Sequence, residues 1–213
     1  MPCMIVAVTS DTHGRPFTVP PCDIFVHCGD MTAGGTIAEQ LHFADFLRKT
    51  VQARYILIVP GNHDRMFQVL LDGEKYKDEL GLDDRVHVLI DSGIEIEGKT
   101  FYGSPWTPPF FEWFFMAEEN TLKDFFTAIP QKLDMLITHG PPYGILDPGW
   151  KDSHAGSHAL WEAVSQRAIT HHVFGHLHGA GGRNMLVSNT HFWNVAGCDE
   201  AYRRVNDPVL IRL

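Results

Sequence analysis

Clustered positive charge is what this chain most plainly lacks. Lys and Arg number 17 against 26 Asp and Glu, the net charge is −9 with His neutral, and no run of Lys or Arg occurs. Proteins that track nucleic-acid backbones displace counterions with grouped cations, so a long nucleic acid is not an expected partner. Apolar runs are also short. None approaches the roughly 18 residues that would span a bilayer, and no membrane association is expected. The start of the chain leads directly into a strand pattern, without a basic region or an apolar export segment. Cysteine is sparse: Cys3, Cys22, Cys28 and Cys198 show no Cys-x-x-Cys spacing. They read as reduced thiols of a cytoplasmic protein. No internal repeat, low-complexity tract or linker divides the sequence, so residues 1–213 are expected to form a single domain.

What remains is an ordinary globular composition, 44% apolar and 20% charged, with clear periodicity. Thr36 and Glu39 make a capping-box pattern ahead of a helix whose Ile37, Leu41, Ala44, Leu47 and Val51 share one face. Asn120 or Thr121 starts a second helix, with Leu122, Phe125, Phe126 and Ile129 inward and Pro130 closing it. A third runs from Ser157 and buries Leu160, Ala163, Val164 and Ala168. Ile94–Glu97 and Thr100–Tyr102 alternate around Gly98-Lys99, a hairpin pattern. Residues 185–195 and 208–213 add further strands. The fold class expected is α/β.

Five short apolar runs carry the chemistry at their ends. Ile5–Val8, Ile24–Val26, Ile56–Val59, Met135–Ile137 and Val173-Phe174 each read as a buried strand. They are followed by Asp11-Thr12-His13, Gly29-Asp30, Gly61-Asn62-His63-Asp64, Thr138-His139-Gly140 and Gly175-His176-Leu177-His178. In open α/β sheets, ligands bind beyond the carboxyl ends of the strands. Two Asp, one Asn and four His gathered there predict one composite metal site, and the inventory is long enough for two ions.

The order Asp-x-His, Gly-Asp, Gly-Asn-His-Asp, His, Gly-His-x-His resembles the calcineurin-like metallophosphoesterase superfamily. The likeness spans residues 11 to 178. Residues 101–111, with Trp113 and Phe115 after them, also look like a segment of its metallophosphoesterase-domain-containing, phosphodiesterase-like branch. Gly29-Asp30 continues as Met31-Thr32-Ala33-Gly34-Gly35, without the Arg of the Ser/Thr protein phosphatases or the Tyr of the purple acid phosphatases.

The resemblance implies a four-layer α/β/β/α sandwich, two packed mixed sheets flanked by helices. It implies that Asp11, His13 and His178 hold one divalent ion with Asp30, while Asn62, His139 and His176 hold the other, Asp30 bridging. Mn²⁺ is favoured, with Fe²⁺, Zn²⁺, Co²⁺ or Ni²⁺ compatible with the donor set. Two such ions clamp a phosphate and activate a water. His63, next to Asn62 but not required as a ligand, takes the part of general acid, and Asp64 that of its support, orienting it or raising its pKa. The function implied is hydrolysis of a small phosphodiester such as a cyclic nucleotide. A small-molecule phosphomonoesterase and a non-catalytic metal- or nucleotide-binding regulator are the alternatives. The spacing sets one further condition. His176 and His178 would point the same way on a strand, so sending them to different ions needs an irregular turn after Phe174, which Gly175 and Gly179 permit.

Other residues read more plainly. His27, His42, His87, His171, His172 and His191 are structural or surface histidines, and Cys28 is a small core residue. His154 and His158, four apart, could share a helix face. Arg65 is either a phosphate contact or a surface residue. The segment from Trp106 to Phe115 is too dense in aromatics for one amphipathic face. It is a loop packed on the sheet, a wall for a nucleobase, or an interface. The sequence does not indicate an oligomeric state.

Overall fold

The computed structural model describes residues 3–70 and 79–213. Strict alternation in the strands builds the layers. In β1 (Ile5–Thr9) Val6 and Val8 point one way and Ala7 the other; β2 (Ile24–His27) and β3 (Tyr55–Ile58) repeat this with Ile24, Val26 and Leu57 against Phe25, Ile56 and Ile58. The first set meets Phe101, Met135, Ile137 and Val173 of a second sheet and forms the central core. The second set faces Phe43, Ala44 and Leu47 of helix α1 (Ile37–Thr50).

Sheet one has the order β11-β1-β2-β3-β4, with β4 at Val86–Val88 and β11 at Val209–Arg212. Sheet two runs β5-β6-β7-β8-β10-β9, from β5 (Ser92–Ile96), β6 (Lys99–Ser104), β7 (Lys132–Thr138) and β8 (Ala168–Phe174) to β9 (Asn184–Val187) and β10 (Thr190–Asn194). Its outer face, including Leu136, Phe174 and Phe192, is covered by Leu122 and Phe126 of α3 (Glu119–Thr127) and by Leu160, Ala163 and Val164 of α4 (His158–Ser165). A short helix α2 (Arg65–Leu70) follows β3. The result is two mixed sheets packed face to face with helices outside, in four layers. No helix of the described residues is long and apolar enough to cross a membrane.

Local chemistry explains the boundaries. Thr36 accepts from Glu39 N–H while the Glu39 carboxylate accepts from Thr36 N–H, a reciprocal cap worth about 1 kcal/mol. The β5–β6 hairpin turns through Glu97 and Gly98, one residue earlier than the expected Gly98-Lys99, at φ 51° and 78°, the paired positive angles of the turn whose twist matches two strands.

Three further expectations need correction. Ile37 and Leu41 are 62% and 46% exposed, and α1 buries Gln40, Phe43, Ala44 and Leu47 instead. The bulky Phe43 takes the sheet-facing position beside Phe17 and Phe46. Helix α3 begins at Glu119, before Asn120. Ala168 lies outside α4, as the exposed first residue of β8.

Candidate functional site

Strands β1, β2 and β3 are parallel neighbours, as are β6, β7 and β8. The segments leaving them therefore emerge along one rim. Backbone hydrogen bonds lace the loops of sheet one together: Asp11 N–H donates to Gly29 O at 2.9 Å and His13 N–H to Asp30 O at 3.0 Å. Gly175 N–H donates to His139 O at 2.9 Å within sheet two. Across the sheets, His176 N–H donates to the Asp11 carboxylate at 2.9 Å, and His139 Nδ1–H to Cys28 O at 2.9 Å.

The backbone is strained where the polar side chains turn inward. Asp11, His13, Asp30 and His176 adopt φ of 51°, 44°, 57° and 64°, a region that side-chain-bearing residues rarely enter. The turn after Phe174 is irregular, the condition that the resemblance set for sending His176 and His178 to different ions. Leu177 N–H donates to Gly175 O at 2.7 Å, closing a three-residue turn centred on His176, and a 3₁₀ turn, His178–Ala180, follows. Gly175 leaves no room for a side chain: an added Cβ would overlap the Asp11 carboxylate and the Ser10 hydroxyl. At Gly61 the same atom would overlap Asp30 and the His139 ring.

Four of the imidazoles share one arrangement. Nδ1 of His13 faces Thr32 O at 3.2 Å, Nδ1 of His63 faces Ala33 O at 2.6 Å, and Nδ1 of His178 faces Asp199 O at 2.9 Å, in addition to the His139–Cys28 bond. A carbonyl only accepts, so in each ring Nδ1 carries the proton and the neutral form presents an Nε2 lone pair inward.

These nitrogens converge on two carboxylates. His13 Nε2 lies 3.2 Å from His178 Nε2 and 3.8 Å from Asp30 Oδ2, and His178 Nε2 lies 3.2 Å from Asp11 Oδ1. His139 Nε2 lies 2.9 Å from Asn62 Oδ1 and 3.5 Å from Asp30 Oδ1. The Asp30 oxygens thus face two ways, one toward His139 and the other toward His13 and His63. Among the described residues, three sets could hold an ion: Asp11, His13 and His178; His13, Asp30 and His63; and Asp11, Asp30 and His139. His176 stands beside them, its ring edge-on to His139 with centroids 4.9 Å apart.

Asp11 and Asp30 are buried at this point. Burial opposes their ionisation, but the surrounding histidines outweigh it and hold both carboxyls well below the usual range. Conversely, burial disfavours charge on His139 and His178, yet Asp30 and Asp11 push both up to about 9. The cluster thus draws positive charge into a dry interior and recruits protons for it. That donor set, with carboxylate oxygens, an amide oxygen and imidazole Nε2 atoms held from behind by carbonyls, fits divalent transition ions, which would displace those protons.

Among the described residues, no hydrogen bond joins the Asp64 carboxylate to the His63 ring. The carboxylate accepts from the N–H groups of Asp30, Met31, Thr32 and Gly61 and from the Thr32 hydroxyl, while the His63 ring is held by Ala33. Asp64 clamps the β2 and β3 loops together. Arg65 stacks its guanidinium over Phe114, 5.6 Å from the ring centre, and is not among the residues lining the cleft.

A cleft of about 700 Å³ opens over Asp30, Asn62, His63, His176 and His178. Its walls include Pro108, Pro109, Phe110 and Trp113 from one loop, Tyr143, Trp150 and His154 from a second, His158 at the start of α4, and Tyr202 from the segment after β10. His154 and His158 share no helix face, because only His158 belongs to α4; they flank Tyr143, with centroids 4.9 and 3.7 Å away. The aromatic segment divides its work, Phe115 being buried and Trp106 half-buried while Phe110 and Trp113 meet the cleft. Sequence reasoning missed Tyr202, edge-on to His13 at 4.7 Å, and Asp199, whose carbonyl fixes His178. Both lie in the irregular segment after β10, where no periodicity marks them.

A family model described as calcineurin-like phosphoesterase matches residues 4–180. Metallophosphoesterase domain-containing protein 1 of Homo sapiens is 33% identical over 229 residues, covering 96% of this chain and 69% of that protein. A UPF0046 protein of Caenorhabditis elegans is 31% identical over 220 residues, covering 98% and 75%. Among solved structures, TT1561 of Thermus thermophilus superposes with a TM-score of 0.65 at 11% identity, covering 98% of this chain and 97% of that one, a likeness of fold.

Proposed function

The chain belongs to the calcineurin-like phosphoesterase family, hydrolases of phosphoesters, and on that premise we propose that it cleaves a small phosphodiester, with cyclic nucleotides the first class to screen. The observation that carries the reading is the convergence of carbonyl-anchored imidazoles on two buried carboxylates at the floor of an open cleft. Asp11, His13 and His178 would hold one divalent ion and Asn62, His139 and His176 a second, with Asp30 offering an oxygen to each. Mn²⁺ is the favoured ion, Fe²⁺, Zn²⁺, Co²⁺ and Ni²⁺ suiting the same donors. When bound, such ions neutralise the phosphoryl oxygens and acidify a water.

The rest is the work of this chain's own residues. His63 keeps Nδ1–H on Ala33 O, which leaves Nε2, 3.9 Å from Asp30 Oδ2 and open to the cleft, as the atom that would deliver a proton. From Nε2 it passes to the departing oxygen as the P–O bond breaks. Aromatic residues from separate segments, Phe110 and Trp113 on one side and Tyr143 and Trp150 on another, line the cleft, which would suit a substrate with two ester arms. The acidic surface, with net charge −9, disfavours a long polyanion.

The test is turnover of bis-p-nitrophenyl phosphate against p-nitrophenyl phosphate by metal-stripped protein resupplied with Mn²⁺. Faster cleavage of the diester, abolished by Asn62→Ala, is the expected result. Preference for the monoester would replace the reading with a phosphomonoesterase. Two bound ions without turnover of either would make the chain a binding protein.

A further inference from the structure

Besides Thr32 Oγ1–H donating to His63 O at 2.9 Å, Asp30 Oδ2 at 3.9 Å from Nε2 and the Tyr202 ring 6.4 Å away, four contacts surround the His63 side chain and backbone. Nδ1–H donates to Ala33 O at 2.6 Å, the backbone N–H donates to Asp30 Oδ1 at 2.8 Å, and the His13 ring meets the imidazole edge-on at 4.8 Å. The fourth is Trp113, whose indole stacks on the imidazole with centroids 4.1 Å apart and planes 28° from parallel. A single hydrogen bond at Nδ1 fixes one point of the ring but leaves it free to swing about that bond. A flat surface against the ring face removes that freedom.

The loop that brings Trp113 there is tied to the metal-site loop itself. Phe114 N–H donates to Asn62 O at 3.3 Å, and Phe115 N–H donates to the Gln68 side chain in α2 at 2.6 Å. Phe115 is fully buried, and its carbonyl accepts from Thr107 N–H at 2.9 Å. Core packing is therefore the work of Phe115, next but one in the chain. Trp113 remains 39% exposed, on the cleft side, whereas Phe111 of the same loop is 79% exposed and does not line the cleft. A tryptophan needed only for stability would be buried as Phe115 is.

We propose that Trp113 is a positioning residue for proton delivery: it holds the His63 imidazole so that Nε2 faces the departing oxygen of the substrate. This rests on the reading of His63 as proton donor given above. Its consequence is selective. A nitrophenolate leaves without help, whereas a phenolate or alkoxide needs the proton delivered in place, and a misplacement of about 1 Å can cost on the order of 100-fold.

The experiment uses the Mn²⁺-loaded full chain and two diaryl diesters that differ only in their para-nitro groups, bis-p-nitrophenyl phosphate and diphenyl phosphate. Wild type is compared with His63→Ala, Trp113→Ala, Trp113→Phe and the control Phe111→Ala. Trp113→Ala should lose about 10- to 100-fold in kcat on diphenyl phosphate and no more than about 3-fold on the nitrophenyl ester, with KM little changed. Trp113→Phe should recover most of that loss, and Phe111→Ala should match wild type. Should Trp113→Ala fold poorly, Trp113→Leu fills the space without a flat face and carries the same expectation.

A readout independent of metal accompanies it. In metal-free protein, the indole ring current should hold the His63 Cε1–H resonance upfield, and Trp113→Ala should move it downfield. Equal losses on both diesters, or no loss, with His63→Ala still selective, would overturn the role of Trp113 alone. Equal losses for His63→Ala itself would overturn the proton-donor reading, and this inference with it. An unmoved His63 resonance would refute the stacking as a restraint.

Discussion

Replacing Asp64 by Asn tests whether this carboxylate is a clamp between loops or a partner of His63. One oxygen accepts from the N–H groups of Asp30, Met31 and Gly61 at 2.7, 3.3 and 2.9 Å, the other from Thr32 N–H at 3.1 Å and its hydroxyl at 2.8 Å. An Asn side chain can keep its oxygen on the first three donors. Its amide then points N–H at the N–H of Thr32, leaving a buried donor without an acceptor, which costs about 1–3 kcal/mol. Three charge-assisted bonds also become neutral ones, each weaker by about 1 kcal/mol. In the opposite direction, burial and the nearby Asp30 push the Asp64 carboxyl up, and removing its charge relieves that repulsion. The net expectation is a loss of roughly 2–4 kcal/mol, or about 5–15 °C in Tm for a chain of this size. Because Asp30 and Asn62 leave from the clamped loops, Mn²⁺ affinity should fall by about 10- to 100-fold. Circular-dichroism melts of metal-free protein and a Mn²⁺ titration measure both. An unchanged Tm and Mn²⁺ affinity, combined with a loss confined to diphenyl phosphate, would refute the clamp and restore Asp64 as direct support of His63.

Asp30→Ala should abolish tight binding of a pair of ions, read by metal analysis after gel filtration; two ions retained would contradict its shared position. Gly175→Ala should displace the Asp11 carboxylate and lower the bound metal below that of wild type, since the added methyl overlaps it; full metal content would show that the turn can yield. The fold should also weaken in acid through His27 and His172, whose pKa values burial lowers from 6.5 to about 3. Below 6.5 the unfolded rings take up protons that the native rings refuse until about 3. Their contribution is therefore fully present above 6.5 and lost as the pH falls toward about 3, with a slope of about 1.4 kcal/mol per pH unit per histidine. Urea midpoints measured from about pH 7 to 4 check this, and His172→Leu should flatten the slope by one proton. A flat profile in wild type would exclude it.

How legible each part was depends on how local its cause is. The strands were readable because alternation is a property of adjacent residues, and Val6, Ala7 and Val8 declare both faces of β1 without reference to anything distant. The α1 cap and the β5–β6 hairpin were readable for the same reason. The buried face of α1 was not. Ile37 and Leu41 fit a helical stripe as well as Phe43 does, and only the position of the sheet decides which stripe is covered. The partners of Asp64 were not legible, because adjacency in sequence suggested contact with His63, whereas the fold directs the two side chains to different partners. Trp113 gave no signal beyond aromatic density, since its stacking depends on a hydrogen bond from the following residue to Asn62.

By itself the sequence determined which donor atoms this protein owns and that they stand at the ends of buried strands, because residue type and short-range period are local. It also showed that two histidines one residue apart cannot diverge on a strand, so the ligand roles that the resemblance implies call for a turn at His176. The tertiary structure alone decided that two separate sheets bring those ends to one rim, that Asp30 turns its oxygens in opposite directions, and which carbonyl fixes each imidazole. Those outcomes rest on contacts between residues as far apart as Asp11 and His178. Such contacts follow from packing two sheets face to face, which no short stretch of sequence encodes.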